Sequence, residues 1–440
     1  MKSRQTSSPL RPSACPGLLR VVQALDGGIC RIKLDGGCIR ADQAIVVAQA
    51  AQRYAGGVIE ATNRANLQIR GIGGQATALI DSLLAAELGP ATAAGDDVRN
   101  VMLSPCAGID RQMLFDTRPL AREILDSLQT RECFHDLSAK FALQLDGGEA
   151  LAMLEHPHDL WLSAADREGE QVLVFGFAGC PTDSPAAAVH LRDGHALVIA
   201  VLELFLELAR PDQTRMRHLL AEQSPESLLR TLATRVPLLY VAGAQRPAMA
   251  AKLHVGTYVQ RQDGLVYVGV VPPLGRLASS MLKGAAQLAE QFGDASLRLT
   301  PWQSVLLPNI RQEDAPLVTR QLQALGFLVD ASEPLTDLVA CTGSSGCSKG
   351  LADTKGDARL LGALRPSPHT REQVHLTGCP RTCACAHAAP VTLLATSMGH
   401  YDVYFRDAAL PGFGALQARN LTIEAAGALL DARPRSPLDA

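Results

Sequence analysis

Gly57-Val-Ile-Glu-Ala-Thr-Asn-Arg-Ala-Asn-Leu-Gln-Ile-Arg-Gly-Ile72 has a counterpart further along the chain, Ala295-Ser-Leu-Arg-Leu-Thr-Pro-Trp-Gln-Ser-Val-Leu-Leu-Pro-Asn-Ile310. Both are β-rich runs that follow a helical pattern, over about 41–54 in the first case and about 278–292 in the second. Before each helix lies an Asp-Gly hairpin signal, Asp26-Gly27 and Asp263-Gly264. Each copy therefore reads strand, turn, strand, helix, strand, at an offset close to 238 residues. Duplication of one α+β unit is the simplest reading. Alternation in the first copy turns Leu67 and Ile69 to one side, while Arg64, Asn66, Gln68 and Arg70 share the other. A face so rich in donors suits an anionic ligand.

A longer segment follows each copy. The first, about 80–235, mixes helices with apolar strands such as 172–175, and its polar, helical end stops near Pro237. The second, about 316–440, opens with a helix near 317–325. The expected domains are therefore 1–78, 79–236, 237–315 and 316–440. Net charge is −3, so no basic field attracts nucleic acid. No run reaches the roughly 18 apolar residues of a membrane span. The longest, 196–208, contains Glu203 and Glu207 and reads as a buried helix. The N-terminal stretch lacks an apolar signal core, and a cytoplasmic location is expected. Eleven cysteines, an odd number, argue for reduced thiols rather than a disulfide framework.

Four of those cysteines fall into two motifs. Ala340-Cys-Thr-Gly-Ser-Ser-Gly-Cys-Ser-Lys349 holds Cys341 and Cys347, and Thr377-Gly-Cys-Pro-Arg-Thr-Cys-Ala-Cys385 holds Cys379 and Cys383. A [4Fe–4S] cube needs four thiolates converging from about four directions, which loops supply better than regular elements. Gly343, Gly346, Gly378 and Pro380 provide the unusual backbone angles. A structural zinc usually shows C-x2–4-C knuckles, so C-x5-C with C-x3-C favours the cube over zinc or four unrelated cysteines. Cys385, a fifth nearby thiol, is the alternative to Cys383.

Ala-Cys-Thr-Gly-x-x-x-Cys followed by Thr-Gly-Cys-Pro-x-x-Cys-x-x-Ala-His resembles the cluster signature of the sulfite/nitrite reductase haemoproteins. The duplication and segment order are similar too, over about residues 15–400. The resemblance implies an α+β fold with two ferredoxin-like half-domains and two α/β domains that bind cluster and substrate. It also implies an oxidoreductase. In that family one cluster cysteine, by position Cys383, bridges to sirohaem, a tetrapyrrole with eight carboxylates. Thr62-Asn-Arg-Ala-Asn-Leu-Gln68 resembles the family's Thr-x-Arg-x-x-x-Gln strand, which makes Arg64 the active-site arginine. Arg99-Asn100, Thr117-Arg118 and Leu137-Ser-Ala-Lys-Phe-Ala142 resemble its further anion-binding sites. Lys140 matches the first lysine of the last motif, but Ala142 stands where a second cation belongs. A small dianion needs a dense cage of cations, so this change weakens sulfite or nitrite chemistry.

One branch of the family, the precorrin-3B synthases of aerobic cobalamin biosynthesis, has an opening similar to Arg11-Pro-Ser-Ala-Cys-Pro-Gly17. That branch implies a monooxygenase using dioxygen to hydroxylate precorrin-3A at C20, with γ-lactone closure. It implies a mononuclear non-haem iron beside the cluster; a separate NAD(P)H-dependent reductase is the expected electron donor, since no nucleotide site is read in this chain. Sirohaem-dependent sulfite or nitrite reduction is the alternative. In either case Arg64, Asn66, Gln68, Arg70, Arg99, Arg111, Arg118 and Lys140 are the expected carboxylate clamp, since guanidinium matches carboxylate in a two-point fork. Arg64, Arg118 and Lys140 are the expected catalytic group. Candidate iron ligands are His135-Asp136, His387 and His156-Pro-His158-Asp159, the last read as a surface turn. Gly71-Ile-Gly-Gly-Gln-Ala76 matches a dinucleotide fingerprint, but it is read as a tight turn into a helix because its strand is donor-rich.

Overall fold

The threonine at the same place in each repeat builds the same turn. Thr62 Oγ1 accepts from the N–H groups of Arg64 (3.3 Å) and Asn66 (3.1 Å). Thr300 Oγ1 accepts from those of Trp302 and Ser304, both at 3.2 Å. The turn forces a left-handed residue at matching positions, Ala65 (φ 55°) and Gln303 (φ 61°). A hydroxyl that caps its own turn in this way is why Thr suits the position. Arg64 and Trp302 occupy the two turn tips.

These details come from a computed structural model that describes residues 15–90, 92–240, 246–247, 252–365 and 372–432. The first half of the Arg11–Gly17 motif lies outside them. The first repeat forms an antiparallel sheet in the order Val22–Ala24, Gly27–Ile32, Leu67–Ile72, Val58–Ala61, Arg276–Ala278. The second runs Gly256–Val259, Leu265–Val270, Val305–Arg311, Ser296–Leu299, Cys38–Arg40. Each repeat thus lends its short third strand to the sheet of the other. Helices Ala41–Tyr54 and Ser279–Phe292 follow those strands and pack together. Their facing residues are mostly small, among them Ala44, Ala48, Ala51, Ala285, Ala286 and Ala289, all buried in one shared core. The antiparallel partners of Leu67–Ile72 also rule out a nucleotide-binding βαβ unit at Gly71–Ala76.

The two longer segments are also copies of one another. Val101–Leu103, Leu143–Asp146 and His158–Arg167 run parallel, and Glu170–Gly179 and Ala187–His190 continue antiparallel. Leu338–Ala340, Val374–Thr377 and Val391–Ser397 run parallel, followed antiparallel by His400–Phe405 and Ala415–Thr422. Each unit has its own apolar core.

Each unit docks on the polar face of one repeat sheet. Arg298 donates to the carbonyls of Pro105 and Ala107, both at 2.9 Å, and so holds the first unit. Glu60, at the matching position, holds the second. It is buried and faces Arg276 (3.2 Å), Lys355 (3.5 Å) and Arg70 (3.8 Å), and it accepts from Thr342 Oγ1. Burial raises its pKa, but Lys355, Arg70 and Arg276 together hold it below the ordinary glutamate value. Glu60→Ala strands these cations, and a loss of about 3–5 kcal/mol in unfolding free energy is expected in urea. Because the folded pKa is depressed, this contribution is present above the unfolded value, about 4.3. It is lost as pH falls through the folded one. An acid-unfolding midpoint unmoved by Glu60→Ala contradicts the assignment.

Candidate active site

Parallel pairing brings the carboxyl ends of Leu338–Ala340 and Val374–Thr377 side by side, and the chain continues from them into Cys341 and Gly378-Cys379. Cys341 N–H donates to Leu376 O (3.3 Å), and Gly378 N–H donates to the Cys341 sulfur (3.3 Å). Gly343 sits at φ 69°, and a Cβ there would lie 2.6 Å from Ala352 O. A side chain at Gly378 would press on Gly350 Cα at 3.0 Å. The loops therefore close only with glycine at these places.

Burial pushes the Cys383 thiol up, and Cys379, Cys341 and Cys347 push it further, against Arg381. The four sulfurs thus lie within mutual electrostatic range. Iron takes a cysteine as thiolate, so its binding displaces the Cys383 proton that burial and the neighbouring sulfurs favour. A hydrogen bond to one sulfur and four neighbouring thiols fit a [4Fe–4S] cube, which takes each thiolate on a different iron. Cys385 faces elsewhere. Its thiol donates to His387 O at 3.3 Å, and burial pushes it up to about 12.

Among the described residues no three His, Cys, Asp or Glu side chains group as a single metal ion requires. The mononuclear iron implied by the branch resemblance therefore finds no ready ligand set here. His135 Nε2 meets Gln129 O at 3.1 Å. His156 and His158 do not lie on a surface turn: they are 2% and 5% exposed. Alternation at the start of strand His158–Arg167 turns both inward and leaves Glu155 and Pro157 outside.

Arg64 is the hub of the cationic side of the site. Its guanidinium has no hydrogen-bond or ion-pair partner among the described residues. Burial, then the charges of Arg31 and Arg215, lower its pKa to about 10. Arg31 lies directly across from Gln68 in the sheet and donates to Gln68 Oε1 at 2.9 and 3.3 Å. Burial lowers its pKa too, while Cys15 and Cys383 raise it, which links the arginine group to the cluster loop. Arg215 is held by Asp159, with Nε 2.9 Å from both carboxylate oxygens. Sequence reasoning missed Arg31 and Arg215. The register opposite Gln68 is the only signal for Arg31, and nothing local marks Arg215.

Other expected clamp residues are committed elsewhere. Arg70 pairs with Asp26 at 2.9 Å and donates to Gly346 O at 3.2 Å, anchoring the cluster loop to the first sheet. Arg99 is buried against Asp96 at 3.0 Å. Arg118 pairs with Asp116 at 2.7 Å and lies over Gly108, where a Cβ would fall 2.0 Å from its guanidinium. Asn66 Oδ1 accepts from Leu34 N–H at 2.8 Å. Arg111 and Lys140 are exposed. Asn100 donates to Ala139 O and Phe141 O, both at 3.1 Å, and so fixes the turn that carries Lys140. Ala142 is buried, with its N–H on Asp159 at 2.9 Å.

Fold and site together define a duplicated α+β scaffold in which two cysteine-bearing loops lie near a group of arginines. The nitrite/sulfite reductase ferredoxin-like half-domain model matches residues 23–86 and 258–325, and the nitrite and sulphite reductase 4Fe-4S domain model matches 94–238. The chain belongs to the nitrite and sulphite reductase family, whose members are oxidoreductases. The candidate cluster cysteines lie outside the 94–238 match, in the unit that copies its strand order. The chain is 31% identical to the chloroplastic ferredoxin–nitrite reductase of Zea mays, over 82% of this chain and 68% of that protein. It is 25% identical to a precorrin-3B synthase of Sinorhizobium sp, over 90% of this chain and 83% of that protein. The Mycobacterium tuberculosis NirA structure shares the fold, with TM-score 0.78 at 22% identity, covering 92% of this chain and 79% of that one. Among the described residues no helix is long and apolar enough to cross a membrane.

Proposed function

We propose that the protein is a precorrin-3B synthase: it hydroxylates precorrin-3A at C20 with γ-lactone closure, using dioxygen and electrons from a separate NAD(P)H-dependent reductase. The observation that carries this reading is Ala142. Two residues beyond Lys140, it presents a buried methyl where a second cation is needed to cage a small dianion. What remains is the guanidinium of Arg64 with that of Arg31 beside it, suited to the carboxylates of a large macrocycle. The near-complete overlap with the Sinorhizobium protein supports the same reading.

When bound at Cys341, Cys347, Cys379 and Cys383, a [4Fe–4S] cluster supplies one-electron transfer. The chain's own residues do the rest. Arg64 forks a substrate carboxylate, Arg31 bridges that contact to Gln68 and the cluster loop, and Asn100 positions Lys140 at the rim. The second reading, sirohaem-dependent nitrite or sulfite reduction, is favoured by the higher identity to the maize nitrite reductase. The same arginines then hold the carboxylates of a cofactor instead of a substrate.

Anaerobic purification followed by absorption spectroscopy and turnover separates the two. The expected result is a broad iron–sulfur shoulder without a haem Soret band, and conversion of precorrin-3A on admission of oxygen. A strong Soret band with nitrite consumption under reduced methyl viologen, and no reaction of precorrin-3A, overturns the proposal.

A further inference from the structure

Three buried imidazoles lie between the surface and Arg64, and the roles assigned above use none of them. Glu155 is 42% exposed in its side chain and stands 3.6 Å from His387 Nε2, with Arg406 on its other oxygen at 2.5 Å. The His387 side chain is 8% exposed, and its ring lies 5.0 Å from that of His156. His156 Nδ1 is buried without a hydrogen-bond partner among the described residues. His158 Nδ1 lies 2.8 Å from His156 O. A carbonyl only accepts, so this nitrogen carries the proton and Nε2 is left to accept. Arg64 acts on both His156 and His158, and Arg215 acts on His158, which places the inner end of the row at the cationic site.

Burial and these neighbours keep the two inner rings neutral. His158 is lowered to about 3, and His156 is well below the ordinary histidine value. For His387, burial lowers the pKa, Glu155 raises it and Arg406 lowers it, so the outer ring stands between two opposite charges. A neutral imidazole can take a proton at one nitrogen while releasing one from the other. It returns to zero charge with its tautomer exchanged.

We propose that His387 and His156 carry protons from Glu155 at the surface towards the oxygen chemistry beside Arg64, while His158, its Nδ1–H fixed on the His156 carbonyl, lines the inner end with an accepting Nε2. The inference rests on the reading that this pocket is a site of reduction or oxygenation, both of which consume protons along with electrons. Solvent supplies the protons at Glu155. The electrons arrive separately, through the cluster, from a one-electron donor. The histidines change neither oxidation state nor bonding to carbon.

The test uses cluster-loaded protein with reduced methyl viologen as donor, on whichever acceptor the wild type turns over: oxygen with precorrin-3A, oxygen alone, or nitrite. Wild-type inactivity towards precorrin-3A thus bears on the preceding reading, whereas the ratio of variant to wild type bears on the proton path. His156→Phe is expected to lower kcat about 100-fold, within the usual range for loss of a proton-transfer group. KM should stay within about threefold, since the ring binds no substrate. The solvent deuterium isotope effect should rise, and added imidazole should restore part of the rate. Glu155→Gln should lower kcat less and shift the acid limb of the pH profile. His387→Gln, nearer the surface, provides a second variant should His156→Phe fold poorly. An unchanged kcat and isotope effect in a variant with an intact cluster spectrum overturns the path. So does a rate loss that imidazole does not relieve and that appears mainly in KM.

Discussion

Cys379→Ala is expected to lose the brown colour of the protein, its iron and its turnover together. Cys379 follows a strand end paired in parallel with the one that delivers Cys341, and the Gly378 N–H already bonds to the Cys341 sulfur. If the four cysteines hold a [4Fe–4S] cluster as proposed, this substitution leaves one iron without its protein ligand. Because metal binding is coupled to the order of its loops, the second α/β unit should also lose stability. The effect should stay local: Arg70 separately anchors the neighbouring Cys341–Cys347 loop at Gly346, and the repeat core includes neither loop. Iron analysis and absorbance measure the first effect, and donor-driven turnover the second. A colourless variant with full activity removes the cluster from the function. Cys385→Ala is the control, since that thiol turns to His387 and should keep its iron.

Arg64→Ala should cost about 2–5 kcal/mol of affinity for a polycarboxylate tetrapyrrole, the range for truncating one partner of a desolvated charge pair. At 1.4 kcal/mol per tenfold that is a factor of about thirty or more. The reason is its isolation: among the described residues no carboxylate pairs with Arg64, while Arg70, Arg99 and Arg118 each hold one. An arginine crowded by Arg31 and Arg215 gains most from an external anion. Arg64→Lys should recover only part of the loss, because an ammonium is a point charge without the planar fork. Titration with an octacarboxylic porphyrin, read by fluorescence, measures the affinity, and the cluster spectrum should stay unchanged. Unaltered affinity removes Arg64 from the clamp. Equal loss in Arg118→Ala would point to a binding site spread much more widely than the ion pairs suggest.

Local chemistry explains what was legible. The Thr62 and Thr300 turns, the paired helices and the glycine-spaced cysteines each depend on residues close in sequence, so their patterns can be read without a fold. The duplication of the longer segments was not legible. Their strands repeat in order and direction, but unlike connections separate them, and only one copy carries the thiolates. The His156-Pro-His158 stretch looked like an exposed turn because it is polar. The structure buries both rings, since alternation turns them inward and leaves Glu155 and Pro157 outside.

The repeat and the four-cysteine motif follow from the sequence alone, because spacing along the chain sets hydrogen-bonded turns and ligand geometry directly. Which arginines are available to a ligand was decided only by the tertiary structure. A guanidinium is committed or available according to the carboxylate that the fold brings to it. Those carboxylates, Asp26 for Arg70 and Asp159 for Arg215, come from 44 and 56 residues away.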